Sequence, residues 1–270
     1  MKFKMFIFIL LISICLPYKS ALSESRLPQK KIKITVTTSH LANLVNEICK
    51  DKVEIITMIQ PTMCPSNNDI DPVLMKKIAK SNIILYHSWQ PWVKSLKFKI
   101  GNLGIVYREF QTEGNLMIPY INVRGAEEIK NLFVVWDADN KNYYEQNFLN
   151  YIFKVNHLAD EIAKNNVKRY DTKVACNNRI SDFVQWLGFE VVIEYGKSED
   201  IPSSEMMKLA KKIKTNKVKI IVDNLQVGTD IGRILSKDLK LKHIVISNFP
   251  LGNSYINTLK DNVAKLDKGL

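Results

Sequence analysis

Histidine is scarce in this 270-residue chain, which has four, and the motifs that most often mark an enzyme are missing. There is no glycine-rich loop to cradle a phosphate, no His-Glu pair on one helix, and no Gly-x-Ser-x-Gly elbow to present a serine nucleophile. Those absences exclude the commonest nucleotide-dependent, zinc-protease and hydrolase chemistries. No apolar run after residue 23 reaches the roughly 20 residues that cross a bilayer, so the mature chain is expected to have no transmembrane segment. Basic runs interleaved with aromatics are also absent. The lysines are scattered along helical patterns, which argues against a nucleic-acid partner despite a formal charge of +12.

What is present begins with a leader. Lys2 and Lys4 precede an apolar run from Met5 to Leu16, and Ala21-Leu22-Ser23 follows as a small-residue cleavage site. Residues 1–23 therefore read as a signal peptide, and the mature protein as exported to the periplasm or cell surface. Loss of Lys2, Lys4 and Lys19 with the leader lowers the formal charge to +9. Cys15 follows Ile14, where a lipid-attachment site has a small residue, so no lipid anchor is expected. Residues 24–31 form a polar lead-in.

Beyond it, strand patterns fall into two sets of four. The first is Ile32–Thr38, Val53–Ile59, Asn82–His87 and Leu103–Glu109; the second is Lys173–Asn177, Phe189–Tyr195, Val218–Asp223 and His243–Ser247. Continuous apolar runs such as Ile83-Ile84-Leu85 and Ile220-Ile221-Val222 suit parallel strands covered on both faces. Helical segments at 41–49, 73–80, 180–187 and 204–214 supply the crossovers that parallel strands require. Between the sets, Tyr144, Phe148, Tyr151, Ile152, Val155, Leu158 and Ile162 recur at three- and four-residue steps, one apolar stripe on a helix over 142–165 capped near Asn140. The expected fold is α/β: a first lobe over 31–139, an interlobe helix over 140–166 and a second lobe over 172–270, each lobe with a four-stranded, mainly parallel sheet and flanking helices. One stiff helix between lobes leaves little freedom for hinge bending.

Candidate chemistry gathers at one edge of the first sheet. The loop Met63 to Pro72 leaves the end of a strand and carries Cys64, Asn67, Asn68 and Asp69. An open α/β sheet places its ligand at such strand ends. His40 follows the first strand and His87 ends the third, so both emerge at that edge. Nitrogen, thiolate and carboxylate donors of this kind bind zinc, and His40, Cys64, Asp69 and His87 form a usable set. The same residues also allow a cysteine enzyme, with Cys64 as nucleophile, His40 or His87 as base and Asp69 orienting it. Cys49, Cys64 and Cys176 remain after leader removal, an odd number, so at least one thiol is unpaired or joins another molecule. Cys64 and Cys176 are expected on opposite cleft rims, as soft ligands or as a disulfide, with Cys176 also readable as buried and inert. His157 reads as structural or exposed, and His243 as packing on an internal strand.

The order of these pieces resembles the metal-binding solute-binding proteins of bacterial zinc and manganese ABC importers. The resemblance runs from Ile34-Thr35-Val36-Thr37-Thr38-Ser39 through the Pro-containing loop, Tyr86-His87-Ser88-Trp89-Gln90-Pro91-Trp92, Asp137 to Tyr144 and Gly188-Phe189-Glu190-Val191-Val192 to Phe249-Pro250-Leu251-Gly252. It implies the two-lobed fold, capture rather than turnover, an ABC permease as partner, a monomer, and a divalent metal, zinc by default and manganese as the alternative. The family's ligand positions carry other residues here. Asn67 stands for a loop histidine, Asn177 or Asn178 for a second, Asn115 to Met117 for the remaining one, and Asn248 for a late acidic ligand. These departures leave open a degenerate binding or adhesion module on the same fold.

Overall fold

The computed structural model describes residues 31–66, 70–101, 104–164, 167, 169–197 and 201–270. The proposed leader and lead-in, together with Asn67, Asn68 and Asp69, lie outside the described residues. The first sheet contains β1 (Ile32–Val36), β2 (Val53–Thr57), β3 (Ile83–His87) and β4 (Val106–Phe110). All pairs are parallel, in the order β2-β1-β3-β4. The crossovers are α1 (Ser39–Cys49), α2 (Pro72–Ile78) and α3 (Trp92–Ile100). The second sheet repeats the plan with β5 (Lys173–Asn177), β6 (Glu190–Tyr195), β7 (Ile220–Asn224) and β8 (Lys242–Ile246), parallel in the order β6-β5-β7-β8. Between β4 and β5 run α4 (Pro119–Trp136) and α5 (Lys141–Lys164); α6 (Ser181–Trp186), α7 (Ser203–Thr215), α8 (Asp230–Leu239) and α9 (Tyr255–Lys268) complete the chain.

Local chemistry explains the starts of the helices that frame the site. Thr38 caps α1 by accepting from the Leu41 N–H, and Asp71 caps α2 by accepting from Val73 and Leu74 ahead of Pro72 at the first helical position. Of the seven-residue stripe on α5, Tyr144, Tyr151, Val155, Leu158 and Ile162 are buried, while Phe148 and Ile152 are partly buried. At 1.5 Å per residue its 24 residues span about 36 Å. One apolar core runs without a break from Ile34 and Leu44 of the first lobe, through Tyr151 and Val155, to Val174, Val222 and Leu259 of the second. Smaller clusters lie on the outer face of each sheet. A shared core on a single helix ties the lobes together, since sliding one lobe would open a cavity in the other.

Helices α3, α4, α8 and α9 are additions to the expected set. Two of them carry a mid-helix glycine, which weakens the helical signal by about 1 kcal/mol relative to alanine. Each glycine is there for space. A Cβ on Gly125 would lie 2.9 Å from the Phe110 ring and 3.1 Å from Leu44, and one on Gly232 would lie 2.2 Å from the Asp223 carboxylate. His243 is also corrected: β8 is an edge strand, and the imidazole Nε2 sits 2.7 Å from Asp223 Oδ2. The capping expectation for Asn140 changes too, because its amide bonds to Asp137 at the end of a short 3-10 turn before α5.

Gly125→Ala should therefore destabilise the first lobe by about 1–3 kcal/mol through overpacking, read as a lowered urea midpoint with unchanged slope.

Candidate functional site

In the first sheet, β1 and β3 are neighbours while their crossovers depart in opposite directions, α1 toward β2 and α3 toward β4. The carboxyl ends of β1 and β3 thus flank a crevice, the place where open α/β sheets take ligands. The residues there are stitched together. Thr37 Oγ1 donates to Gln90 Oε1 at 2.6 Å, the His87 N–H donates to the same oxygen at 3.0 Å, and His87 Nε2 lies 2.9 Å from Thr38 Oγ1. Gln90 Nε2 reaches the Pro65 carbonyl of the loop after β2 at 3.4 Å. His87 also stacks on Trp89, with ring centroids 4.9 Å apart.

His40, in the first turn of α1, points across to the second lobe. Its Nε2 lies 2.8 Å from the Asn248 carbonyl, which can only accept, so Nε2 carries the hydrogen in the neutral ring. That leaves Nδ1 as a bare lone pair, buried and without a hydrogen-bond partner. Ser39 Oγ beside it is likewise buried and unpartnered. Burial holds both imidazoles neutral. It lowers the His40 pKa to about 4, against a small opposing effect of the Asn248 bond. Burial and then the nearby His40 lower that of His87 to about 3.

The second sheet presents the same construction from the other side, with the ends of β5 and β7 at its crevice. Asn177 is buried, accepting from the Arg179 N–H at 3.0 Å and facing the Tyr195 and Gly196 carbonyls. Asn224 accepts from the Gln226 N–H at 3.0 Å. Gln226 Nε2 crosses to the Pro61 carbonyl of the first lobe at 2.7 Å and also donates to Ser247 Oγ at 2.8 Å. Its Oε1 accepts from the Asn248 N–H at 3.0 Å. From the first lobe, Gly114 at φ +95° turns the chain and presents Asn115, whose Nδ2 donates to Asn248 Oδ1 at 2.9 Å and to the Arg179 carbonyl at 3.2 Å.

Of the expected residues, the structure joins His40 and Asn115 directly to Asn248, keeps His87 at the same crevice as His40, and ties Asn177 to Asn248 only through the Arg179 backbone. It separates others. Met117 is fully buried in the core, and only its carbonyl takes part, accepting from Tyr255 Oη at 3.0 Å across the lobes. Asn178 is exposed, with its backbone N–H on the Tyr195 carbonyl. Cys49, Cys64 and Cys176 are all free, so of the readings the sequence left open for Cys64 and Cys176 the disulfide is not the one seen. Cys176 completes β5 as a fully buried side chain, and burial drives its thiol up. Cys64 is half-buried at the cleft rim, 2.9 Å from Ser66 Oγ. Burial pushes its thiol up, but the Ser66 hydrogen bonds and the Lys197 charge from the opposite lobe outweigh it and leave the pKa below the ordinary value. His157 is exposed on α5, 3.8 Å from Glu161. Among the described residues, no three His, Cys, Asp or Glu side chains come close enough to hold a metal ion. Asn115 stands where the family resemblance expects a ligand, whereas Thr37, Gln90 and Gln226 were not foreseen in these roles. The only sequence signal for them was their position just after strands.

The sequence profile of the zinc-uptake complex component A, periplasmic (ZnuA) family matches residues 121–269, more than half of the chain. The chain belongs to this family. ZnuA-family members are substrate-binding proteins of transporters, not enzymes, which sets aside the reading of Cys64 as a nucleophile. The manganese ABC transporter substrate-binding lipoprotein PsaA of Streptococcus pneumoniae is 22% identical over 293 residues, covering 92% of each chain. The high-affinity zinc uptake system protein ZnuA of Bacillus subtilis is 23% identical over 281 residues, covering 89% of this chain and 88% of its own. The Pseudomonas aeruginosa binding protein FpvC, solved with Mn2+, superposes with a TM-score of 0.77 at 15% identity, over 89% of this chain and 98% of that one. Its likeness bears on the fold.

The buried imidazoles make stability depend on pH with a definite sign. Unfolded histidine titrates near 6.5, above the folded values of about 4 for His40 and about 3 for His87. A base depressed by folding contributes full stability above pH 6.5 and loses it as pH falls toward the folded value. Urea unfolding in chelator should show stability falling between pH 6.5 and 4, by up to about 1.4 kcal/mol per pH unit per histidine. The double variant His40→Gln, His87→Asn should flatten that slope.

Proposed function

We propose that this protein is the exported solute-binding component of an ABC importer, and that its cargo is a divalent transition metal, zinc before manganese, delivered to the cognate permease. The proposed donors are His40 and His87 at the first-lobe crevice, with Cys64 and Asp69 as the further donors that the sequence offers. The observation that carries this reading is the His40 ring. Its Nε2–H is anchored on a backbone carbonyl while Nδ1 keeps a buried, unpartnered lone pair, the arrangement in which an outer hydrogen bond fixes a ligating imidazole. Neutral rings need no proton release to bind. The leader-like residues 1–23 support export, and no helix among the described residues is long and apolar enough to cross a membrane.

Protein purified without a histidine tag or chelator should carry stoichiometric zinc or manganese by elemental analysis. Metal at a hundredfold excess over its dissociation constant should stabilise the fold by about 2.7 kcal/mol. His40→Ala should remove most of that gain, while His157→Ala should leave it unchanged. A second reading, a metal-free interaction or adhesion module, is favoured by one observation: amides stand at Asn115, Asn177 and Asn248, and they bond to one another and to backbone. Absence of bound metal together with absence of any thermal shift would select it.

A further inference from the structure

We propose that the two lobes are latched shut by an uncharged hydrogen-bond seam centred on Asn248, so that the closed arrangement is the resting state of the empty protein and does not wait for cargo. Asn248 uses all four of its polar groups. Its N–H donates to Gln226 Oε1 at 3.0 Å, its carbonyl accepts from His40 at 2.8 Å, its Oδ1 accepts from Asn115 Nδ2 at 2.9 Å, and its Nδ2 donates to the Arg179 carbonyl at 3.2 Å. Two of these partners belong to the first lobe and two to the second. Around them, Gln226 reaches Pro61 at 2.7 Å, Asn43 Nδ2 reaches the Asn253 carbonyl at 2.8 Å, and Tyr255 Oη reaches the Met117 carbonyl at 3.0 Å.

The asparagine and glutamine amides, the Tyr255 hydroxyl and the backbone groups of this seam carry no charge. A cleft faced by carboxylates would repel itself when empty and would need a cation to close. Here every donor that crosses the seam finds an acceptor, and the side-chain oxygens of Asn115, Asn177, Asn224, Gln226 and Asn248 already accept an N–H. Those oxygens are neutral, so an ion entering between the amides would meet no charge there that could pull the lobes together. The unbroken core through α5 acts in the same direction, because opening the cleft would also strain packing around Tyr151 and Val155. The latch goes beyond the metal reading and does not depend on which donors hold an ion.

Small-angle scattering and amide exchange test it on the mature protein, in chelator and with zinc or manganese added. The scattering profile should be the same in all three conditions, and the Met117 and Asn248 amides should be protected without metal. Asn248→Ala should speed exchange over 115–118 and 247–253 at least tenfold. Asn248→Asp keeps the shape but loses the donor to the Arg179 carbonyl, and it should loosen the same segments at neutral pH. Should Asn248→Ala fail to fold, Asn115→Ala removes three bonds, two of them across the seam and one to the Met117 N–H, leaves the second lobe intact, and should raise exchange over 247–253. A metal-free protein that is more expanded and contracts on zinc overturns the latch, as does unchanged exchange in Asn248→Asp or Asn115→Ala. Contraction on zinc would at the same time support the metal reading, whereas failure to bind any metal leaves the latch standing, so the two proposals fail separately.

Discussion

The cleft depends on one constraint: two parallel sheets face each other through the ends of their central strands, and the polar backbone and side chains gathered there must be satisfied within a narrow gap. Asn248 is where the accounts of both lobes meet. A buried polar group left without a partner costs about 1–3 kcal/mol, so losing one member of such a seam exposes several others to that cost. The position of β8 follows from the same need. Asp223 and His243 pair across β7 and β8, and Gly232 of α8 lies close against that pair, which fixes the edge strand whose end carries Ser247 and Asn248. Ser247 is held in turn by Asn262 of α9, whose Oδ1 accepts from the Ser247 N–H and whose Nδ2 donates to its carbonyl.

Most of the fold was legible because parallel strands covered on both faces leave continuous apolar runs, and the stripe on α5 repeats without interruption. Every expected strand is present, with ends shifted by three residues or fewer. The helices that escaped include two whose sequences are compromised for packing. Gly125 sits where Phe110, Leu44 and Leu116 crowd the helix, and Gly232 sits against Asp223. Local propensity reads such a glycine as a break, whereas the tertiary structure requires it.

The candidate site was legible in outline only. Strand-end position placed His40 and His87 at one crevice, and the structure keeps them there. Sequence could not say that His40 would spend one nitrogen on a carbonyl 208 residues away and leave the other bare. Nor could it distinguish asparagines that line an open cleft from asparagines that bond to each other, because a side-chain amide is both donor and acceptor and its role depends on what faces it. Met117 shows the converse. A residue near a ligand position in sequence turned its side chain into the core and offered only backbone.

This difference between amide and acid bears on how the cleft can work. Carboxylate or imidazolium groups facing one another across a gap store repulsion that a cation or a proton can release, and closure then reports loading. Complementary amides store none, so the free energy that separates open from closed is set by the protein alone. A ligand that binds both states equally shifts neither, however tightly it binds. If cargo is held by His40 and His87 on the first-lobe side, it meets a cleft whose second wall is already docked, and any signal of loading must come from the rim. The rim is where Cys64, with its thiol lowered by Ser66 and Lys197, and exposed Met63 stand in the loop after β2, with exposed Trp89 just after β3. A partner that tells loaded from empty protein would therefore have to read that rim, since the relation of the two lobes is the same in both.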